Sequence, residues 1–250
     1  MPGTRLLYQE DSYLREFDAT VVEVRGDEVA LDATAFHPGP HGGLDTDTGY
    51  LVGRGGRWRV EAARLEGDTV YHRVPGHSLG PGERVHGVID WPRRYAMMRL
   101  HTFSHILAAV LYERYGALVT GGHISPEGAR DDFDLSKAGG EWRRALLEGF
   151  EEARRIAARC IEVKVYWLPR EEALKIPGLV KLASRLPPEV ERLRIVEIPG
   201  VDIQADGGPH VSNTCEIGEV ELVGVESKGR RRRRIYYRLA GGGGAGGGEA

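Results

Sequence analysis

Apolar positions recur at two different periods along this chain, and the point where the period changes divides it. From about Asp18 to Trp91, short β-branched runs alternate with glycine-bearing turns. Val21-Val22-Glu23-Val24, the turn Arg25-Gly26-Asp27-Glu28 and Val29-Ala30-Leu31 predict a hairpin, and Thr69-Val70-Tyr71 and Val85-His86-Gly87-Val88-Ile89-Asp90 continue the habit. A small β-barrel is the economical fold for such a series. The stretch His37-Pro38-Gly39-Pro40-His41-Gly42-Gly43-Leu44-Asp45 interrupts it. Its glycines and prolines preclude regular structure; it either lets backbone approach a ligand or simply connects two strands.

Beyond Asp90-Trp91-Pro92 the period lengthens. Leu100, Phe103, Leu107, Val110 and Leu111 lie on one face of a helix from Arg94 to Tyr115, ended by Gly116. Trp142, Ala145, Leu146, Phe150, Ala153 and Ile156 give a second helix between Gly140 and Ala158. The alternating segment Ile161 to Trp167 is a strand, Leu193 to Ile198 another, and Val220 to Glu226 pairs with Arg234 to Leu239 across a basic tip. The predicted class is α+β: a β-barrel domain over residues 1–91 with a glycine-rich loop, then an α/β two-layer domain over 92–240. Residues 241–250 are mostly glycine, bury almost nothing, and are expected to be a disordered tail.

The 250 residues suffice for one large domain or two modest ones with their own cores, so no disulfide staple is required. Two cysteines, Cys160 and Cys215, and a beginning with no charged segment followed by an apolar one predict a reducing, cytoplasmic setting. Apolar runs such as Ile106 to Leu111 are too short to cross a bilayer. A net charge of -3 and a pI near 6.3 exclude a polyelectrolyte nucleic-acid binder, so local patches must carry any RNA contact. Lys228 and Arg230 to Arg234 form one such patch, equally readable as a solvated hairpin tip.

Chemistry gathers at two places. His101-Thr102-Phe103-Ser104-His105 lies in the first helix, so two imidazoles four residues apart project from one side and can share an ion. Zinc proteases with such a pair carry Glu directly after the first His; Thr102 stands there, which disfavours that chemistry. Alone, such a pair is more often two partly exposed or hydrogen-bonded imidazoles than a metal site. The other half comes far later, in the stretch from Asp202 to Gly218. His210 is a third imidazole, and Asp206, four residues earlier across Gly207-Gly208, is a candidate oxygen ligand. Three histidines and a carboxylate suit one zinc ion per chain. Water or Cys215 are the alternatives for the fourth place, with Asp206-Gly207 then only a turn.

The order of these motifs resembles the alanyl-tRNA editing proteins over most of the chain. The opening Leu6 to Glu16 segment leads to Thr34-Ala35-Phe36-His37-Pro38, the glycine-rich loop and Asp47-Thr48-Gly49. Asp90-Trp91 and Arg93 to Leu100 precede the histidine pair, Thr120-Gly121-Gly122-His123-Ile124 precedes Asp132-Phe133, and the His210 block leads to Glu226-Ser227-Lys228-Gly229. The resemblance implies a barrel-like N-terminal domain and an editing domain that hydrolyses tRNA(Ala) carrying serine or glycine. The family's metal ligands, a His-x-x-x-His pair and a Cys-x-x-x-His pair, fall on His101, His105, Asp206 and His210. The chain departs from the pattern at Asp206, where cysteine is commoner, and at Pro209, where threonine is usual.

The expected reaction is zinc-dependent, ATP-independent hydrolysis of an ester on mischarged tRNA(Ala), performed in trans by a monomer or homodimer. The ion either activates water or orients the ester. Thr102 is the candidate to touch the amino acid, or else bonds its own helix backbone; Asp132 is the candidate base, or else a cap or ion-pair partner. Gly42 and Gly43 are expected to close over the substrate. Lys228, Arg230 and Arg231 are the expected tRNA contacts, with Arg93, Arg94 and Arg99 weaker ones. The competing readings are an RNA-binding module with a structural zinc and a small-molecule metallohydrolase.

Overall fold

The computed structural model describes residues 3–40, 43–177, 179, 190–229 and 231–241. Gly42, Arg230 and nearly all of the expected tail lie outside these described residues. The chain divides into two compact units, Met1–Met97 with Gly207–Pro209, and Met98–Asp206 with His210–Ala250. The division therefore falls inside a helix, six residues beyond the expected boundary at 91/92, and a three-residue segment returns to the first unit.

In chain order the first unit contains β1 (Arg5–Leu6), α1 (Leu7–Glu10), β2 (Glu16–Arg25), β3 (Glu28–Leu31), β4 (Ala33–Thr34), β5 (Gly49–Gly53), β6 (Gly56–Val60), β7 (Ala62–Glu66), β8 (Thr69–Arg73) and β9 (Arg84–Ile89), then the start of α2 (Trp91–Tyr115). The expected β2/β3 hairpin is present, with Arg25 opposite Glu28. Seven strands run in the order β6-β5-β9-β2-β3-β8-β7. Among the described residues this order is linear, with β6 and β7 at its ends, where a closed barrel was expected. Strand β2 is shared between two neighbours: its residues 16–20 pair with β9 and those from Val21 onward with β3, across a register shift between Val21 and Glu23. Phe17, Val21, Leu31, Phe36, Leu51, Val70 and Val85 are among the side chains of the buried core this produces. Gly87 is required by that packing, since a Cβ there would sit 2.3 Å from the Phe17 ring.

The second unit takes the remainder of α2 and adds β10 (Leu118–Ser125), β11 (Gly128–Asp134), α3 (Trp142–Ala157), β12 (Lys164–Pro169), α4 (Arg170–Ala173), β13 (Arg192–Ile198), β14 (Asp202–Ala205), β15 (Val220–Ser227) and β16 (Arg232–Leu239). They form a four-stranded sheet, β10-β11-β16-β15, and a three-stranded sheet, β12-β13-β14. Phe103 of α2 meets Phe150 of α3 and Tyr237 of β16 edge-on, with ring centroids 5.3 and 5.2 Å apart. Helix α2 was expected to bury one face. It is instead buried along nearly all of 97–111, polar His101, Thr102 and His105 included.

Cys160 and Cys215 form a disulfide with Cα atoms 4.5 Å apart, where the sequence required no staple and suggested a reducing setting. Cys215 is thereby withdrawn from the candidate ligands. No helix among the described residues is long and apolar enough to cross a membrane.

Candidate metal centre

Helix α2 supplies two members of the centre because residues four apart share a face. His101 and His105 set their rings edge to face with centroids 4.9 Å apart. The other two members flank a Gly-Gly-Pro turn beyond β14. Arg194 on β13 fixes where that turn begins: its carbonyl accepts the Asp206 N–H (3.1 Å) and its guanidinium donates to the Asp206 carbonyl (3.0 Å). His210 then lies with its ring centroid 4.0 Å from that of His101 and 4.6 Å from that of His105.

The ring nitrogens point inward to the carboxylate. His101 Nε2 lies 3.7 Å and His105 Nε2 3.8 Å from Asp206 Oδ2, and His210 Nε2 lies 3.4 Å from Oδ1. All four donor atoms fall within 4.8 Å of one another. These separations are too long for strong charge-assisted hydrogen bonds, which run at about 2.7–2.9 Å. Two ligands about 2.0–2.1 Å from a tetrahedral ion are separated by about 3.4 Å, so the donors are spaced as if around a common cation. Three imidazole nitrogens and one carboxylate oxygen, nearly buried, could hold a metal ion.

The outer nitrogens are fixed as well. Asp202 Oδ2 lies 3.0 Å from His105 Nδ1 and accepts a bond from Gln204 Nε2 at 2.9 Å. The Thr102 hydroxyl donates to the Met98 carbonyl (3.0 Å), leaving its oxygen to accept from Val211 N–H (3.3 Å) and His210 Nδ1 (3.0 Å). A proton on each Nδ1 leaves each Nε2 lone pair facing inward. Thr102 is fully buried behind His210, the backbone-bonded alternative with one addition. Asp202 had no assigned role in the sequence reading; an acid four residues before a suspected ligand was the only signal available.

Burial opposes charge throughout the cluster. For His105 the bonds to Asp202 and Asp206 outweigh it and push the ring up to about 9. For His210 burial dominates, with the charge of His105 adding to it, and the ring falls to about 4. Asp206 stays ionised well below the usual carboxylate range because His101, His105 and His210 together overcome its burial.

The remaining predicted residues are scattered. Asp132 is held by Arg234 through two bonds of 2.6 and 2.8 Å, the ion-pair alternative, while neighbouring Asp131 turns to the other face of β11 and accepts from Ser104 (2.8 Å) and Tyr237 (2.6 Å). Gly43 lies part-exposed in the first unit. Lys228 pairs with Glu226 at 2.8 Å, and Arg231 is exposed on the β15/β16 hairpin. Arg94, expected at a phosphate, is fully buried against Asp47 and the carbonyls of Ala35 and Ser12; Arg93 pairs with Asp45, and Arg99 bonds the Ile217 carbonyl.

Residues 193–236, which run from β13 into β16 and contain Asp206 and His210, match the domain family described as the threonyl and alanyl tRNA synthetase second additional domain. Fold and site together define an α/β protein whose metal-type cluster is completed by that synthetase-borne domain. More particularly, the chain is 55% identical over 230 residues to an alanyl-tRNA editing protein of Saccharolobus solfataricus, covering 91% of this chain and 95% of the relative. It is 38% identical to one of Methanosarcina barkeri, again over 91% and 95%. An alanine-tRNA ligase of Thermofilum pendens is 41% identical over 226 residues, 89% of this chain but only 24% of the ligase. The chain belongs to the alanyl-tRNA editing protein family.

Proposed function

We propose that this protein is a trans-editing hydrolase that removes serine or glycine from mischarged tRNA(Ala), with zinc at the cluster. The observation that carries the reading is the convergence of three imidazole nitrogens on Asp206, in a chain related over nine-tenths of its length to alanyl-tRNA editing proteins. His101, His105, His210 and Asp206 would hold the ion. Zinc in such a site supplies Lewis acidity toward a carbonyl or brings a bound water toward a pKa of about 7.

The chain's own residues prepare for this. Asp202 and Thr102 orient His105 and His210, so Thr102 enters as a positioning residue, and Asp132 anchors Arg234 on the basic hairpin. Of the four ligands, Asp206 is the most exposed, at 16% of its side chain against 1 to 7% for the histidines. It is also a hard, single-oxygen donor able to give way, so substrate or water would enter on its side. A structural zinc is the second reading, favoured by the presence of four protein donors.

Incubation with Ser-tRNA(Ala), Gly-tRNA(Ala) and Ala-tRNA(Ala), with and without chelator, tests the proposal. The first two esters should be lost and the third survive, and His105→Ala should abolish activity. An Asp206→Ala protein that keeps its metal yet turns over at the parent rate would leave Asp206 without a part; a metal-loaded parent that spares all three esters would favour the structural reading.

A further inference from the structure

The arginines of the first unit fall into two groups. Arg5, Arg25, Arg64, Arg73, Arg93 and Arg94 each reach a carboxylate, and Arg15 lies over the Trp91 ring. Arg54, Arg57, Arg59 and Arg84 make no carboxylate contact among the described residues. These four are exposed: Arg57 and Arg59 on β6, Arg84 on β9, and Arg54 in the turn between β5 and β6, with β5 lying between the two strands.

Register places them together. Arg59 is opposite Tyr50 and Arg57 opposite Val52, so all four side chains share one face, while Leu51 and Trp58 take the other. Val52 and Tyr50 are in turn opposite His86 and Val88 on β9, and Arg84, two residues before His86, continues that face. The Arg57 guanidinium stacks 3.7 Å above the Tyr50 ring, which holds it extended without neutralising it. Arg54 and Arg84 line a cleft of about 670 Å³ with Gly55, Ser78, Gly82 and Glu83. Three acids border the face: Glu83, which accepts from the Gly80 N–H, and the exposed Asp18 and Glu16, which lie 3.0 and 3.5 Å from the ring nitrogens of His86.

We propose that this face is a contact surface for the phosphate backbone of RNA, with Arg57 and Arg59 at its centre and Arg54 and Arg84 at the adjoining cleft. In a chain of net charge -3, where most other arginines of the first unit reach a carboxylate, four guanidiniums on one side of this sheet without a carboxylate partner among the described residues repel one another and gain most from a polyanion. Guanidiniums on a tyrosine-bearing β surface suit a nucleic-acid backbone, which offers a closely spaced row of phosphates, better than the scattered carboxylates of an acidic protein. The partner identified as tRNA rests on the function proposed above.

The test measures binding of unacylated tRNA(Ala) across a salt series. It compares the parent, Arg57→Ala/Arg59→Ala, Arg57→Lys/Arg59→Lys, and a control in which the paired, exposed Arg5 and Arg73 become Ala. The alanine pair should bind about tenfold more weakly at moderate salt, with the log-log salt slope shallower by roughly 1.5. The lysine pair and the control should stay near the parent. Parent-like affinity and slope in the alanine pair overturn the proposal and leave the face to an acidic protein. Deacylation of Ser-tRNA(Ala) in the same preparations separates the two ideas. An active parent with an unaffected alanine pair sinks only the surface. A parent that binds RNA through these arginines but hydrolyses nothing sinks only the catalytic reading, and a parent that binds no RNA sinks both.

Discussion

A histidine binds a cation through whichever ring nitrogen its other nitrogen leaves free, so Asp202 decides much of what His105 can do. Its carboxylate is buried, bonded to Nδ1, and steadied by Gln204. Asp202→Asn keeps the shape but removes the charge that favours a protonated Nδ1 and an electron-rich Nε2. Zinc affinity, measured by competition with a chromophoric chelator, should fall about 10 to 100-fold with the fold intact; an unchanged affinity would mean that the ring is held by packing alone. At the same scale Arg94 shows how a residue type misleads. An arginine at the start of a histidine-bearing helix reads as a phosphate ligand, yet buried Asp47 and two backbone carbonyls claim it.

Helices α2 and α3 owe their close packing to Gly149. A Cβ built there lies 2.6 Å from Leu111 Cδ2, so the two helices approach more closely than a larger residue allows. Intrinsic propensity alone would favour replacing a mid-helix glycine by roughly 0.5–1 kcal/mol. Gly149→Val should nonetheless destabilise the protein by about 2 kcal/mol, because the overpacked side chain would displace Leu111 of the helix that carries His101 and His105. Urea unfolding would show this as a lower midpoint at similar slope; a raised midpoint would show that Leu111 moves aside freely.

Across the whole molecule, the disulfide closes a loop that carries half of the candidate metal site. Cys160 and Cys215 are 55 residues apart, and the loop they close contains both Asp206 and His210. Chain-entropy reasoning gives at most about 4 kcal/mol for a loop of that length. Cys160→Ser/Cys215→Ser, or the reduced parent, should therefore melt at a lower temperature and lose metal more readily to a chelator. Equal melting of oxidised and reduced protein would show that backbone pairing of 161–163 with 212–214 already holds this junction.

The sequence by itself determined the helix that carries the paired histidines, the β15/β16 hairpin with its basic tip, and the three imidazoles of the candidate cluster, because helical and strand periods and ligand chemistry are local properties. It left the fourth donor open among Asp206, water and Cys215, and its candidate base was the acid that faces Arg234 rather than the site. The choice between Asp131 and Asp132 depends on which face of β11 looks inward, and that is set by pairing with residues a hundred positions away. Tertiary structure alone decided that Cys215 meets Cys160, that Thr102 backs His210, that the first unit's sheet runs in a linear order, and which arginines lack acids among the described residues. Each of these is a meeting of distant segments, and a linear pattern carries no distance between them.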